Sequence, residues 1–154
     1  MKLRVVAVGR LRAGYARSAA QDYLARVNRY LPCRVVEVRE VGDADPGRSV
    51  AVESRRLREA EPAGESFRVA LDVEGEAWSS ARFARFFGER MTYGGGDVAF
   101  LVGGAWGLDA ALAREADLRL SLSRMTFPHD LARVLLLEQI YRALTILRGE
   151  PYHK

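Results

Sequence analysis

The sequence predicts an α/β domain built on a mainly parallel sheet flanked by helices. Three observations carry that prediction. Five short apolar runs rich in valine, leucine and phenylalanine recur along the chain, stretches with helical apolar spacing separate them, and glycines cluster where a strand would give way to a loop. With 154 residues, 49% of them apolar, the chain is long enough to bury a core as one domain, residues 1–154.

Leu3, Val5, Val6 and Val8 form the first strand, ending at Gly9. Tyr15, Ala19, Tyr23, Leu24, Val27 and Leu31 then recur at helical spacing until Pro32 stops them. Residues 34–38, RVVEV, are a second strand. The polar segment 43–61 reads as a weaker helix, capped by Ser49 and mostly solvated. Residues 67–73, FRVALDV, form a buried strand, and Ser79 and Ser80 cap a helix that puts Phe83, Phe86, Phe87 and Met91 on one face. Gly94, Gly95 and Gly96 end it. Residues 97–102, DVAFLV, run as a strand into Gly103 and Gly104, a short helix begins near Asp109, and residues 118–122 are the last strand. The final helix, between Pro128 and Leu147, is apolar around nearly its whole circumference. It is either sandwiched within the domain or shared with a second copy, and in so short a chain the symmetric dimer is favoured.

Composition excludes several classes. Cys33 is the only cysteine, so there is no internal disulfide and no thiolate-rich zinc site, and no metal-ligand spacing is present. Residues 1–9 are too short for a signal peptide, and no apolar run approaches the roughly 18 residues of a membrane span. A soluble cytoplasmic protein is expected. The net charge is +4, and all the basic residues except Lys2 and Lys154 are arginine. Arginine's planar fork suits the phosphates of nucleic acid, while a GC-rich codon bias explains the same excess.

Three features can carry chemistry. The first is VGGAWG at residues 102–107, where glycines past a strand's carboxyl end let a ligand approach the backbone; it is neither GxGxxG nor a P-loop. The second is the loop 120–127, facing the first across the sheet edge, with Thr126 as the expected N-cap and Pro128 in the first helical turn. The third is a polar set. His129 and Arg133, four apart near a helix N-terminus, suit an anionic substrate. Glu138 and Arg142 have the spacing of a plain ion pair, and Tyr152, His153 and Lys154 form a polar tail of the kind that usually frays.

The runs FLVGGAWGL (100–108), LSLSRMTFPHDLARVLLLEQIYRALTI (120–146) and RGEPYHK (148–154) resemble the small SPOUT-class ribosomal RNA methyltransferases of the RlmH family. MKLRVVAVGRLR at the start and LDVEGEAWSS at 71–80 extend the resemblance over nearly the full length, leaving only about 43–65 without a matching motif. The resemblance implies a C-terminal trefoil knot, a homodimer, and methylation of N3 of a pseudouridine in 23S ribosomal RNA on the intact 70S ribosome. It also implies an S-adenosylmethionine site at Leu71, Gly103, Gly104, Leu122, Ser123, Arg124, Met125, Thr126 and Phe127, with no metal. Because N3–H must lose a proton, a base within hydrogen-bond reach is expected. The catalytic candidates are His153, which would assist deprotonation, Arg133 and Arg142, which would orient RNA phosphate or uracil carbonyls, Tyr152 beside them, and His129, which would cap the helix entry and line the pocket. Asp130 departs from the uncharged residue associated with its position. Another SPOUT methyltransferase acting on transfer RNA or a different ribosomal base, and a non-catalytic ribosome-associated protein, are the competing readings.

Overall fold

The computed structural model describes residues 1–42, 45–62 and 64–154. In chain order the elements are β1 (Leu3–Val8), α1 (Gly14–Val27), β2 (Cys33–Val38), α2 (Pro46–Glu59), β3 (Ser66–Ala77), α3 (Ser80–Thr92), β4 (Asp97–Val102), α4 (Ala110–Glu115), β5 (Leu118–Ser121) and α5 (His129–Leu147). The five strands make one sheet in the order β2-β1-β4-β3-β5, and every strand pairing in it is parallel. Parallel pairing covers both faces, which is why β1 and β4 are apolar at nearly every position instead of alternating with polar residues.

Period-two geometry still sorts those residues by face. Leu3, Val5 and Ala7 join Val98, Phe100 and Val102 under α1, α3 and α5, against Phe83, Phe87, Leu136, Ile140 and Leu144. Val6, Val8 and Leu101 point the other way, to Leu57 of α2 and Leu112 of α4. Helix α5 lies against both α1 and α3, so most of its apolar circumference is used inside one chain. That corrects the argument that such a helix needs a second copy to cover it. Leu131, Leu135, Glu138, Gln139 and Arg142 form a half-buried stripe along the helix.

Several boundaries shift for identifiable reasons. Helix α1 stops before Pro32 because the Asn28 side chain donates to the carbonyls of Leu24 (2.9 Å) and Cys33 (3.0 Å) and accepts from the Cys33 amide (3.0 Å), turning the chain early. Helix α2 is capped by Asp45, which accepts from Gly47 and Arg48, not by Ser49, which is buried. Nor is α2 a solvated surface helix: Ser49, Glu53, Ser54 and Leu57 are all buried. Asp43, where the predicted segment began, lies outside the described residues. Helix α5 has Pro128 at its N-cap with no side-chain cap, so Thr126 does not cap it, and Asp130 supplies the negative charge of its first turn.

Strand β3 is longer than its apolar core suggests. Leu71 and Glu76 both pair with Leu120, so residues 72–75 bulge out of the ladder. Gly75 makes the crossing possible, since a Cβ there would stand 2.7 Å from the Arg119 carbonyl group. Asp72, at the start of the bulge, is held by Arg119 at 2.7 and 3.0 Å.

The seam between β1 and α5 is made by Arg133, which is 1% exposed. Its Nη1 donates to Glu37 at 2.6 Å, and its Nη2 donates to the carbonyls of Gly9 at 2.8 Å and Val8 at 3.2 Å. One turn earlier, Asp130 accepts from the Arg12 amide at 3.4 Å. Truncation would leave two buried carbonyls without a donor and a cavity beside them. We expect Arg133→Ala to lose about 3 kcal/mol in urea unfolding; a loss below about 0.5 kcal/mol would show that water replaces the guanidinium.

Candidate active site at the carboxyl edge of the sheet

Parallel strands place their following loops on one edge. Here the β3 bulge, the loop 103–108 after β4 and the loop 122–128 after β5 enclose a cleft of about 780 Å³, with α5 closing it through His129 and Ala132. Its size is that of a small-molecule or cofactor site. Leu71, Gly103, Gly104, Leu122, Ser123, Met125, Thr126, Phe127 and His129, all expected at the site, line it together. Arg124 is not among the lining residues; it is exposed, next in the chain to Met125 at the cleft.

Each loop is fixed by its own polar groups. The Ser121 hydroxyl donates to the Ser123 carbonyl at 2.8 Å, and the Ser123 hydroxyl accepts from the Met125 amide at 3.0 Å. The Gly107 amide donates to the Gly104 carbonyl at 3.0 Å, closing a tight turn with Gly107 at φ +81°. A Cβ at Gly103 would lie 2.5 Å from the Gly107 backbone, and one at Gly104 would lie 2.9 Å from the Glu53 carboxylate. These glycines are therefore required by the loop's packing on itself and on α2, a reason different from the ligand approach read from the sequence.

Sequence reasoning missed what α2 does. Glu53, 4% exposed, accepts from the Val41 amide at 2.8 Å and packs its second oxygen, which has no hydrogen-bond partner, under Gly104. Ser54 accepts from the Asp109 amide at 3.0 Å, and Asp109 in turn N-caps α4. Apolar periodicity does not expose such contacts, because three of the four buried residues of α2, Ser49, Glu53 and Ser54, are polar. The bulge at 72–75 was missed too, although Val73-Glu74-Gly75 interrupting an apolar run was a usable sign.

Arg133 does not share the face of His129. Four residues advance a helix by about 40° beyond one turn, enough here to put His129 in the cleft and Arg133 in the core. With its two terminal nitrogens bonded inside the fold, Arg133 is a structural tie and not a contact to RNA phosphate. Asp130 stands 3.2 Å from His129 Nε2, an ion-pair distance off the hydrogen-bond direction, and so supplies a negative neighbour at the cleft's edge.

The other polar candidates gather elsewhere. Glu138 accepts from Arg142 Nε at 2.9 Å, from its Nη2 at 2.5 Å and from Tyr152 at 3.1 Å, and Arg142 Nη1 lies 3.4 Å from His153 Nδ1. The tail is docked: Tyr152 packs on Tyr141 with ring centroids 4.7 Å apart, and Glu150 accepts from Tyr30 at 2.6 Å. The hydrogen bond to Glu138 raises the Arg142 pKa, keeping it charged. Burial first, then hydrogen bonds with Tyr23 and Glu138, push the Tyr152 phenol up, so it stays protonated. From His129 to Arg142 the helix climbs about 20 Å. Within one chain, then, the cleft and the His153 cluster are two separate places.

Other chemistries find little here. Burial pushes the Cys33 thiol up to about 12, which leaves no thiolate for nucleophilic work at neutral pH. Among the described residues no group of three or more His, Cys, Asp and Glu is placed to hold a metal, and no helix is long and apolar enough to cross a membrane.

Comparison with known proteins fits this arrangement. Residues 1–153 match the family model described as "Predicted SPOUT methyltransferase". Proteins named "Ribosomal RNA large subunit methyltransferase H" are similar over their whole length: 44% identical in Syntrophotalea carbinolica (99% of both chains), 45% in an Anaeromyxobacter species and 39% in Coprothermobacter proteolyticus (100% of both chains in each case). A solved structure of a probable methylase family protein from Haemophilus influenzae shares the fold at TM-score 0.55 and 14% identity, covering 99% of this chain and 70% of that one. On the full-length match and the identities with these relatives, the chain belongs to the SPOUT methyltransferase family and, within it, to the ribosomal RNA large subunit methyltransferases H.

Proposed function

We propose that residues 1–154 act as one homodimeric, knotted domain that transfers a methyl group from S-adenosylmethionine to N3 of a pseudouridine in 23S ribosomal RNA, on the assembled 70S ribosome in the cytoplasm. The observation that carries this reading is the full-length match to relatives of that name, set upon a cleft whose shape and lining suit the cofactor. Although the chain has 24 basic residues, none of the residues lining the cleft is Lys or Arg, so a sulfonium cation meets no like charge there. Bound in the cleft, S-adenosylmethionine supplies an activated methyl group. Backbone groups of loops 103–108 and 122–128 would hold it, while Leu71, Leu120 and Leu122 would keep water from the floor.

The target side of the reaction falls to the tail. His153 accepts the N3 proton, Arg142 orients a uracil carbonyl or a phosphate, and Tyr152 holds the tail to Glu138. His129 lines the cofactor cleft. Because about 20 Å of helix separates His153 from His129 in one chain, the tail serves the cleft of a second chain. The half-buried stripe of α5, with Leu131 and Leu135 at its cleft end, offers a surface for that pairing.

Labelled S-adenosylmethionine incubated with 70S ribosomes lacking the modification should deliver label to a pseudouridine, mapped by mass spectrometry. Naked 23S RNA should be a poor substrate, and label on transfer RNA alone would move the reading to a different target. His153→Ala should slow single-turnover methylation about 100-fold or more with cofactor affinity unchanged. Mixing His153→Ala chains with chains whose cleft is blocked by Leu122→Arg should restore about a quarter of wild-type activity, through mixed dimers with one complete site. Folded variants that fail to complement each other would rule out the shared site.

A further inference from the structure

Two tryptophans are present, and the structure uses only one of them. Trp78 donates to Glu76 at 2.9 Å, packs on Phe86 with centroids 5.7 Å apart and lies under Arg82 at 4.4 Å. Trp106 has no ring or cation neighbour of that kind among the described residues, and it is 57% exposed. Of the exposed aromatic residues, Tyr15, Tyr93 and Trp106, only Trp106 lines the cleft. The turn that carries it is rigid: the Gly104–Gly107 bridge and the Gly107 amide bond close it, and Glu53 and Ser54 brace it from below. Because the backbone beneath it is already fixed, only the indole's own rotamer remains to be ordered when a flat partner lands on it.

Around the same mouth stand Met125, 76% exposed, and beside it Arg124, an exposed guanidinium for which no ion pair is found among the described residues. An unpaired aromatic face, a soft apolar side chain and a free arginine are what a single-stranded nucleotide requires, the base stacking and the phosphate pairing with charge. In the reading above, the cofactor would lie against the more buried lining residues Leu71, Val102 and Leu120, which leaves the exposed ring to the RNA.

We propose that Trp106 is a positioning residue for the RNA: a nucleobase of the target loop stacks on its indole at the mouth of the cleft, with Arg124 on the adjoining phosphate. The proposal rests on the RNA-methyltransferase reading above. It is tested by steady-state methylation of unmodified 70S ribosomes, with cofactor affinity measured separately by calorimetry, for wild type, Trp106→Ala, Trp106→Leu and Trp106→Tyr. Trp106→Ala should raise the KM for ribosomes about 5- to 100-fold. Its kcat at saturating ribosomes, its cofactor affinity and its oligomeric state should stay within twofold of wild type. Trp106→Tyr should restore most of the loss, and Trp106→Leu, which keeps bulk without a π-face, should not. In a Trp78→Phe background, where the remaining indole fluorescence comes from Trp106, ribosomes should quench it.

An unchanged ribosome KM in Trp106→Ala, or full rescue by leucine, overturns the platform. A fall in cofactor affinity overturns it by assigning the ring to the purine, and a change in oligomeric state does so by assigning it to a subunit contact. If wild type binds cofactor but labels no ribosome, the substrate reading falls and takes this proposal with it; the wild-type control separates that outcome from the others.

Discussion

The buried guanidinium of Arg133 fixes the first turns of α5 to the carboxyl ends of β1 and β2, and the cleft depends on that seam. The loop 122–128 has no strand beyond it and no side-chain cap at its end, so its exit is defined only by where α5 begins. Were α5 free to slide on α1 and α3, His129 and Ala132 would move with it, and the wall they form would open. A charge is an expensive way to hold a helix, since the desolvation of Arg133 offsets much of its attraction to Glu37. Glu37 keeps its side chain 37% exposed, which screens that attraction further. What the charge provides is direction: two carbonyls at a strand end that only a donor fork in one position can satisfy.

Opposite that seam, α2 supports the second wall. Glu53 under Gly104 and Ser54 on the Asp109 amide are polar contacts made by side chains that are themselves buried. Their effect is to fix the loop 103–108 from outside the cleft, which leaves Gly103 and Gly104 to line it without side chains. The β3 bulge supplies the third wall by the same economy, with Gly75 passing against the Arg119 backbone so that Asp72 and Val73 stand at the rim. Three walls of backbone and apolar carbon leave a site that is selective by shape and hydrogen bonding more than by charge.

Much of this was legible in the sequence because strands buried on both faces announce themselves as apolar runs. β1 and β4 were bounded to the residue, and β2 and β5 each differed by one. The glycine and serine loops were recognisable as one site from their position after strands. What stayed hidden was tertiary. Arg133 reads as a surface cation because nothing local reveals the Val8 and Gly9 carbonyls, more than a hundred residues away in sequence. Helix α2 reads as solvated because its buried carboxylate and serines look like surface residues. Strand β3 was cut short because its bulge breaks the apolar pattern where the strand continues. The tail looked frayed because its anchors, Tyr30, Glu138 and Tyr141, belong to other elements.

The geometry of that tail bears on how a uracil edge would be read. Arginine only donates, so in the contact at 3.4 Å from Arg142 Nη1 the accepting atom is His153 Nδ1. A donor and an acceptor thus stand side by side, held by Glu138 beneath Arg142. On the base, a carbonyl oxygen and the N3–H group stand side by side in the complementary order. In the proposed reaction, pairing the two edges would replace a weak contact within the tail by two intermolecular hydrogen bonds, and would aim the N3 proton at His153 Nδ1. Glu138 is committed to Arg142 and Tyr152 through one oxygen and to Gln139 through the other, and Tyr152 stays protonated. On that reading the Glu138–Arg142 ion pair, besides supporting the helix, would keep the donor in line with the acceptor.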